Sequence, residues 1–220
     1  MKDLFLFDID GTLVSMGGAG RRAFEQACHE LLEVPSALHG FALDGMTDPL
    51  ILHHVYQTHK QRLPSDDESA ALFARYLHLL EATVADTPLV VHESVPELLG
   101  HLQASGATVG LATGNLAEGA RIKLERPKLW HHFGFGGFGS DAVLRADLVR
   151  IGIERGRRAA ATPPDRVFVV GDTPRDIEAA HAAGAIAIGV ATGSYTVVQL
   201  EAAGADQAYP SLTPWYQSLL

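Results

Sequence analysis

The sequence predicts an α/β fold in which a parallel sheet flanked by helices is interrupted, after its first strand, by a helical insertion. Three observations predict it. Short unbroken apolar runs recur at residues 4–7, 108–112, 167–170 and 185–190, as expected of strands buried on both faces. Helical patterns at about 95–104, 116–129, 148–160 and 177–183 alternate with these runs, supplying the right-handed crossovers that parallel strands need. Between the first run and the second, residues 16–90 carry helical periodicity and no strand signal.

The first run, Leu4-Phe5-Leu6-Phe7, is closed by Asp8, so it is too short for a signal-peptide core or a membrane span. In the insertion, residues 21–32, 49–61 and 67–85 place apolar side chains three and four apart, with Pro35, Pro64 and Pro88 as breaks. A small helical bundle is expected there. The division is therefore a core of residues 1–15 and 91–220 and a cap of residues 16–90, with residues 17–20 and 89–94 as natural hinges. The later segments repeat strand and helix, with one further short strand expected within 133–138. The result is a Rossmann-like, three-layer core.

Length and composition narrow the function. The chain has 220 residues, 47% of them hydrophobic, enough for one domain carrying a modest insertion. A net charge of -9 without a concentrated basic stretch excludes nucleic acid as the expected main partner. Cys28 is the single cysteine; with no second thiol and no adjacent base it is expected to be structural. The expectation is a soluble cytoplasmic protein, a monomer or small homo-oligomer, binding small anions rather than a membrane.

The chemistry lies at the strand ends. The first strand closes on Asp8-Ile9-Asp10, the second on Thr113-Gly114-Asn115, and the run at 167–170 on Gly171-Asp172-Thr173-Pro174-Arg175-Asp176. In an open parallel sheet the carboxyl ends share one edge, where ligands bind, so these groups should converge. Carboxylates, a hydroxyl and backbone N–H groups in one crevice suit a hard divalent cation together with a phosphate. Asp8, Asp10 and Asp172 would serve magnesium, which takes a few protein oxygens and fills its shell with water or phosphate oxygens.

Through Asp-x-Asp-Gly-Thr-Leu, the strand-ending Thr113 and Gly-Asp-x-x-x-Asp, the chain resembles the haloacid dehalogenase superfamily over nearly its whole length. The insertion resembles the helical cap of its phosphoglycolate phosphatase-like and phosphoglucomutase-like branch. That resemblance implies a magnesium-dependent phosphatase in which Asp8 attacks phosphorus and Asp10 is general acid and base. It implies a metal site of the Asp8 and Asp172 carboxylates and the Asp10 carbonyl, supported by Asp176. It implies a phosphate cradle of Asp10, Thr113, Gly114 and Asn115. The family's basic residue, commonly lysine, has no lysine at its place here; Arg145 fits best by order along the chain, and Lys128 is the alternative. A carboxylate at Asp10 favours phosphate esters over halogenated acids or phosphonates. The expected substrate is a small phosphorylated metabolite, phosphoglycolate-type or sugar phosphates first, with a sugar phosphomutase as alternative.

Other readings compete. Gly18-Ala19-Gly20-Arg21-Arg22-Ala23, with Asp44 downstream, fits a dinucleotide fingerprint, but it does not follow its strand directly as that motif requires. His53-His54 and His131-His132 lack metal-binding spacing, since neighbours on a helix do not share a face. Arg175 suits a surface salt bridge. A non-catalytic ligand-binding protein of the same fold would need neither a nucleophile nor a proton shuttle.

Overall fold

The computed structural model describes residues 2–220. Its elements run β1 (Asp3–Phe7), β2 (Val14–Ser15), α1 (Ala19–Leu32), α2 (Asp48–Lys60), α3 (Asp66–Asp86), β3 (Val90–Val91), α4 (Val95–Ala104), β4 (Thr108–Thr113), α5 (Ala117–Glu125), a 3₁₀ turn (Trp130–His132), β5 (Gly136–Phe138), α6 (Arg145–Ala159), β6 (Arg166–Gly171), α7 (Pro174–Ala182), β7 (Ile186–Val190), α8 (Val197–Ala202), β8 (Gln207–Tyr209) and α9 (Leu212–Leu219). Six strands form one sheet in the order β5-β4-β1-β6-β7-β8, and every ladder in it is parallel.

Strand β1 lies inside the sheet, paired with β4 through Phe7↔Leu111 and with β6 through Phe7↔Val170. Its alternation sends side chains to opposite layers. Leu4 and Leu6 join an apolar cluster with Leu148, Ile153 and Ile177 from α6 and α7. Phe5 and Phe7 join the cluster on the other side, with Leu98, Leu99 and Trp215 from α4 and α9. The Phe5 and Phe168 rings stack at 4.8 Å, fixing β1 against β6. Helices on both faces of a parallel sheet give the three-layer architecture expected from the sequence.

The chain leaves β1 and returns through β2 and β3, an antiparallel pair with Val14 opposite Val91 and Ser15 opposite Val90. Helices α1, α2 and α3 lie between these two crossings, and Phe24 of α1 meets Tyr76 of α3 at 5.2 Å. Several expected bounds shift for local reasons. The helix expected over 116–129 ends at Glu125, because Pro127 removes a donor and Lys128 turns with φ 59°. Those expected from 148 and 177 begin at Arg145 and Pro174, the latter because proline suits a first turn. Among the described residues no helix is long and apolar enough to cross a membrane.

Candidate active site

The polar ends of β1, β4 and β6 meet at the carboxyl edge of the sheet. Asp8 N–H donates to Val170 O at 2.9 Å, so β1 and β6 stay paired up to the first carboxylate. Gly11, at φ 82°, then turns the chain, and Thr12 Oγ1 donates to Asp172 Oδ1 at 3.1 Å. Asp8, Asp172 and Asp176 are buried and each offers a carboxylate oxygen, all within 4.8 Å of one another. Three close carboxylates with oxygen donors alone fit a hard divalent cation, so the residues present suit the metal expected from the sequence.

Two glycines make room for Asp172. A Cβ at Gly11 would lie 2.3 Å from Asp172 Oδ2, and one at Gly193 only 1.8 Å from the same atom. Gly193→Ala is therefore expected to push the carboxylate aside and to weaken the affinity of the cluster for a divalent cation by about ten- to a hundredfold, the range for disturbed metal-supporting residues. Isothermal titration calorimetry checks this; unchanged affinity in a folded variant would remove Asp172 from the metal site.

Arg145, the first residue of α6, reaches into the carboxylates. Its Nη2 lies 2.9 Å from Asp8 Oδ1 and 2.5 Å from Asp176 Oδ1, with all three side chains at most 7% exposed. Asp176 Oδ2 is already used in the α7 capping box, accepting from Thr173 N–H at 3.0 Å and Thr173 Oγ1 at 2.7 Å. Asp176 Oδ1 has close charge contact with Arg145 but no hydrogen bond of regular alignment, and Arg145 Nε has no partner among the described residues. The cluster thus retains acceptor capacity for a cation. Lys128 is exposed and outside the cavity, so Arg145 is the one of the two candidates that reaches the carboxylates.

Crowded burial raises the carboxyl pKa values. Burial pushes Asp8 up to about 6, against the opposing pull of Arg145 and with help from Asp176 and Asp10. Burial, then Asp176 and Asp8, push Asp172 up to about 8. The metal-free folded state then holds protons that the unfolded chain has released. The stability these protons confer is complete below the ordinary carboxyl pKa and is lost as pH rises through about 6 and then about 8. Metal-free protein is expected to melt at progressively lower temperature from about pH 5 to about pH 8.5, with magnesium largely removing the decline. Thermal melts with and without chelator test this; a metal-free melting point that rises over that range would contradict it.

Asp10 lies apart from the carboxylate cluster, its side chain 47% exposed and its Oδ2 2.6 Å from Lys123 Nζ. Asn115 ties the group together: its Nδ2 donates to Asp10 Oδ2 and to Thr113 Oγ1, both at 2.8 Å, and its Oδ1 accepts from Lys123 at 2.7 Å. Asn115 N–H also points to Thr113 Oγ1, at 3.3 Å, so it is the side chain of Asn115 that organises the site. Because Thr113 Oγ1 accepts from Asn115, its own proton is left to donate elsewhere. Lys123 is not among the residues expected from the sequence, because the resemblance places the basic residue after α5. The signal was present: Lys123 shares the buried face of α5 with Gly119, Ala120 and Leu124, an uncommon place for lysine without a partner.

These groups line a cavity of about 540 Å³ that Gly114, Asp172 and Gly193 also border. The loop before α2 closes one side of it. Asp48 N–H donates to Gly114 O at 2.8 Å, and Leu116 N–H to Asp48 Oδ2 at 2.8 Å. Thr47 Oγ1 donates to Val143 O at 2.6 Å, and Arg145 Nη1 to Gly45 O at 3.1 Å. Burial pushes Asp48 up to about 6, against the pull of Lys123 and the Leu116 N–H.

The remaining candidates fall outside this chemistry. Cys28 is buried and its thiol is pushed up to about 12 by burial, then by Glu25, which suits a structural role. Among the described residues the grouping of His, Cys, Asp and Glu able to share a metal is the aspartate cluster. Arg175 donates to the Asp44 carbonyl at 2.5 Å in place of the expected salt bridge. Gly18 and Gly20 open α1 after β2, which pairs with β3 and is no part of the six-stranded sheet, so the dinucleotide reading lacks its strand.

Comparison with known proteins gives the family and the fold. The family model for haloacid dehalogenase-like hydrolase matches residues 2–184. The curated "Probable phosphatase IndB" of Dickeya dadantii (strain 3937) is 31% identical over 218 residues, covering 92% of this chain and 87% of that protein. A hydrolase from Pseudomonas syringae superposes with a TM-score of 0.75 at 21% identity, covering 100% of this chain and 99% of that one. A predicted phosphoglycolate phosphatase from Haemophilus somnus 129pt gives 0.73 at 16% identity, covering 100% and 98%. The two structures share the fold.

Proposed function

This chain belongs to the haloacid dehalogenase-like hydrolases, and from that premise we propose that it is a magnesium-dependent phosphatase of a small phosphorylated metabolite, with Asp8 as nucleophile. The observation that carries the reading is the convergence of Asp8, Asp172 and Asp176 within 4.8 Å at one sheet edge, with Arg145 against two of them. Residues 16–90 are read as a cap over that edge, joined to the core through β2 and β3.

Asp8, Asp172, the Asp10 carbonyl and the supporting Asp176 would hold the metal. Magnesium supplies positive charge that offsets the repulsion between a carboxylate nucleophile and a phosphate dianion. An Asp8 oxygen attacks phosphorus as the bond to the leaving oxygen breaks, giving an aspartyl-phosphate. Asp10 gives its proton to the leaving oxygen, then takes one from the water that releases orthophosphate. Lys123 and Asn115 both grip Asp10 Oδ2, leaving Oδ1 for proton transfer. Thr113, by the hydroxyl proton that Asn115 leaves free, and the Gly114 amide would bind phosphoryl oxygens. Arg145 balances the charge of Asp8 and Asp176 and is the expected cation for the phosphate.

Orthophosphate release from a panel of phosphomonoesters tests the assignment. Release that requires magnesium and stops with chelator supports it. No release from any ester, by folded protein with magnesium bound, would overturn it.

A further inference from the structure

The cavity's charges narrow the substrate, an inference that rests on the phosphatase reading. Five aspartates line it, Asp8, Asp10, Asp44, Asp48 and Asp172, against three cations, Arg21, Lys123 and Arg145. Each cation already has protein partners. Arg145 is held by Asp8 and Asp176, and Lys123 by Asp10 and Asn115. Arg21 donates from Nη1 to Leu38 O at 2.7 Å and from Nη2 to Phe41 O. Arg145 stands at the phosphoryl end, so a second anionic group on the substrate would meet a wall in which the aspartates outnumber the remaining cations, Arg21 and Lys123. It would face Asp44 and Asp48, at a cost set by like charges.

What the cap side does offer is apolar surface and a phenol donor. Met16, Phe24 and Ile51 border the cavity there and are themselves at least nine-tenths buried. Tyr76, from α3, borders it as well and is 1% exposed. Its hydroxyl has no hydrogen-bond partner among the described residues, although a buried phenol ordinarily finds one. Burial, then Asp48 and Asp10, raise its pKa further, so the hydroxyl keeps its proton and acts as a donor. A Cβ at Gly20 would stand at ordinary contact, 3.7 Å from Tyr76 Oη and 3.4 Å from Lys123 Nζ, so both groups face the space beside Gly20.

We propose that the substrate is the monophosphate of a neutral, partly apolar alcohol, and that the Tyr76 hydroxyl donates a hydrogen bond to an uncharged acceptor on its leaving group. Acids such as phosphoglycolate, and the bisphosphates on which a sugar phosphomutase depends, are disfavoured by the same wall. Tyr76 is thus a specificity residue that touches the leaving group, remote from the reacting phosphorus.

The test is a kcat/KM ranking with magnesium over four kinds of ester. These are benzyl phosphate, pyridylmethyl phosphates and neutral sugar or nucleoside monophosphates that carry acceptors, phosphoglycolate, and glucose 1,6-bisphosphate. Neutral esters are expected to exceed both charged ones by about tenfold or more. Tyr76→Phe, which keeps the ring and its packing, is expected to cost about tenfold in kcat/KM on the best acceptor-bearing ester, the worth of one hydrogen bond. Benzyl phosphate, which has no acceptor, should be unaffected by that change. Phosphoglycolate or the bisphosphate ranking first would overturn the proposal, as would Tyr76→Phe leaving the best ester unchanged or slowing every ester alike. Those outcomes leave the phosphatase reading standing; if no ester is turned over in an Asp8-dependent way, that reading falls and takes this one with it.

Discussion

Asp8→Asn is expected to reduce phosphomonoester turnover by at least about a thousandfold while the protein stays folded. The amide matches the carboxylate in volume, so the Phe5 and Phe7 packing of β1 and the pairing of Asp8 N–H with Val170 O are untouched. What disappears is the proposed attacking oxygen and one negative charge of the carboxylate cluster. Folding should improve in the metal-free state, because burial, offset in part by Arg145, pushes Asp8 up to about 6 and an ionised carboxylate there opposes folding at neutral pH. The pairing of lost activity with a raised metal-free melting point is diagnostic. Full turnover in this variant would remove Asp8 from the mechanism, and lost turnover with lost folding would make its role structural.

Arg145→Ala is expected to carry the second large effect, and in the opposite sense on stability. Arg145 is buried between Asp8 and Asp176, and its charge is held firm by them, Asp176 more than Asp8, against burial that would lower its pKa. Removing one partner from a buried ionic cluster costs about 3–5 kcal/mol, since the charges left behind lose their compensation. In chelator the loss should grow as pH rises, because the remaining carboxylates give up the protons that relieve it, and it should be smaller with magnesium. Turnover should fall by about a hundredfold or more, the effect of deleting a positioned donor at a developing charge. Arg145→Lys keeps the charge but not the fork, so it is expected to fall between the two. Chemical denaturation and steady-state rates check both; an alanine variant with unchanged rate would pass the basic role to another residue, with Lys123 the nearest cation to Asp10.

How much of this was legible in the sequence depended on what each feature leaves behind locally. Strands β1, β4, β6 and β7 announce themselves as apolar runs because both faces of a central strand are covered. Their polar endings gave Asp8, Thr113 and Asp172 their place on one edge, since parallel strands must end together. Strands β2 and β3 were invisible at two residues each, too short for any alternation to register. Strand β8 is a half-exposed three-residue edge, and α8 has six residues, so the last part of the chain passed without an assignment.

The site divides along the same line. Residues whose spacing is set by a strand end or a helix cap were found, including Asp176, which the α7 capping box fixes. Residues that act across long sequence separations were harder. Lys123 meets Asp10 over 113 positions, and only its place on a buried helical face betrays it. The loop ending at Asp48 is legible as Gly45-Met46-Thr47-Asp48, a polar segment that opens a helix and is able to face the site. Its fastening to Gly114, Leu116 and Val143 runs largely through backbone atoms, whose positions no side-chain pattern encodes.

The central claim is that phosphate passes through Asp8. The measurement that tests it most directly is acid quenching during magnesium-supported turnover, followed by mass spectrometry of the peptide that carries Asp8. A phosphoryl group on Asp8 in the wild type, absent from Asp8→Asn, is the predicted result. Steady release of orthophosphate with the phosphoryl group on another side chain would contradict the account.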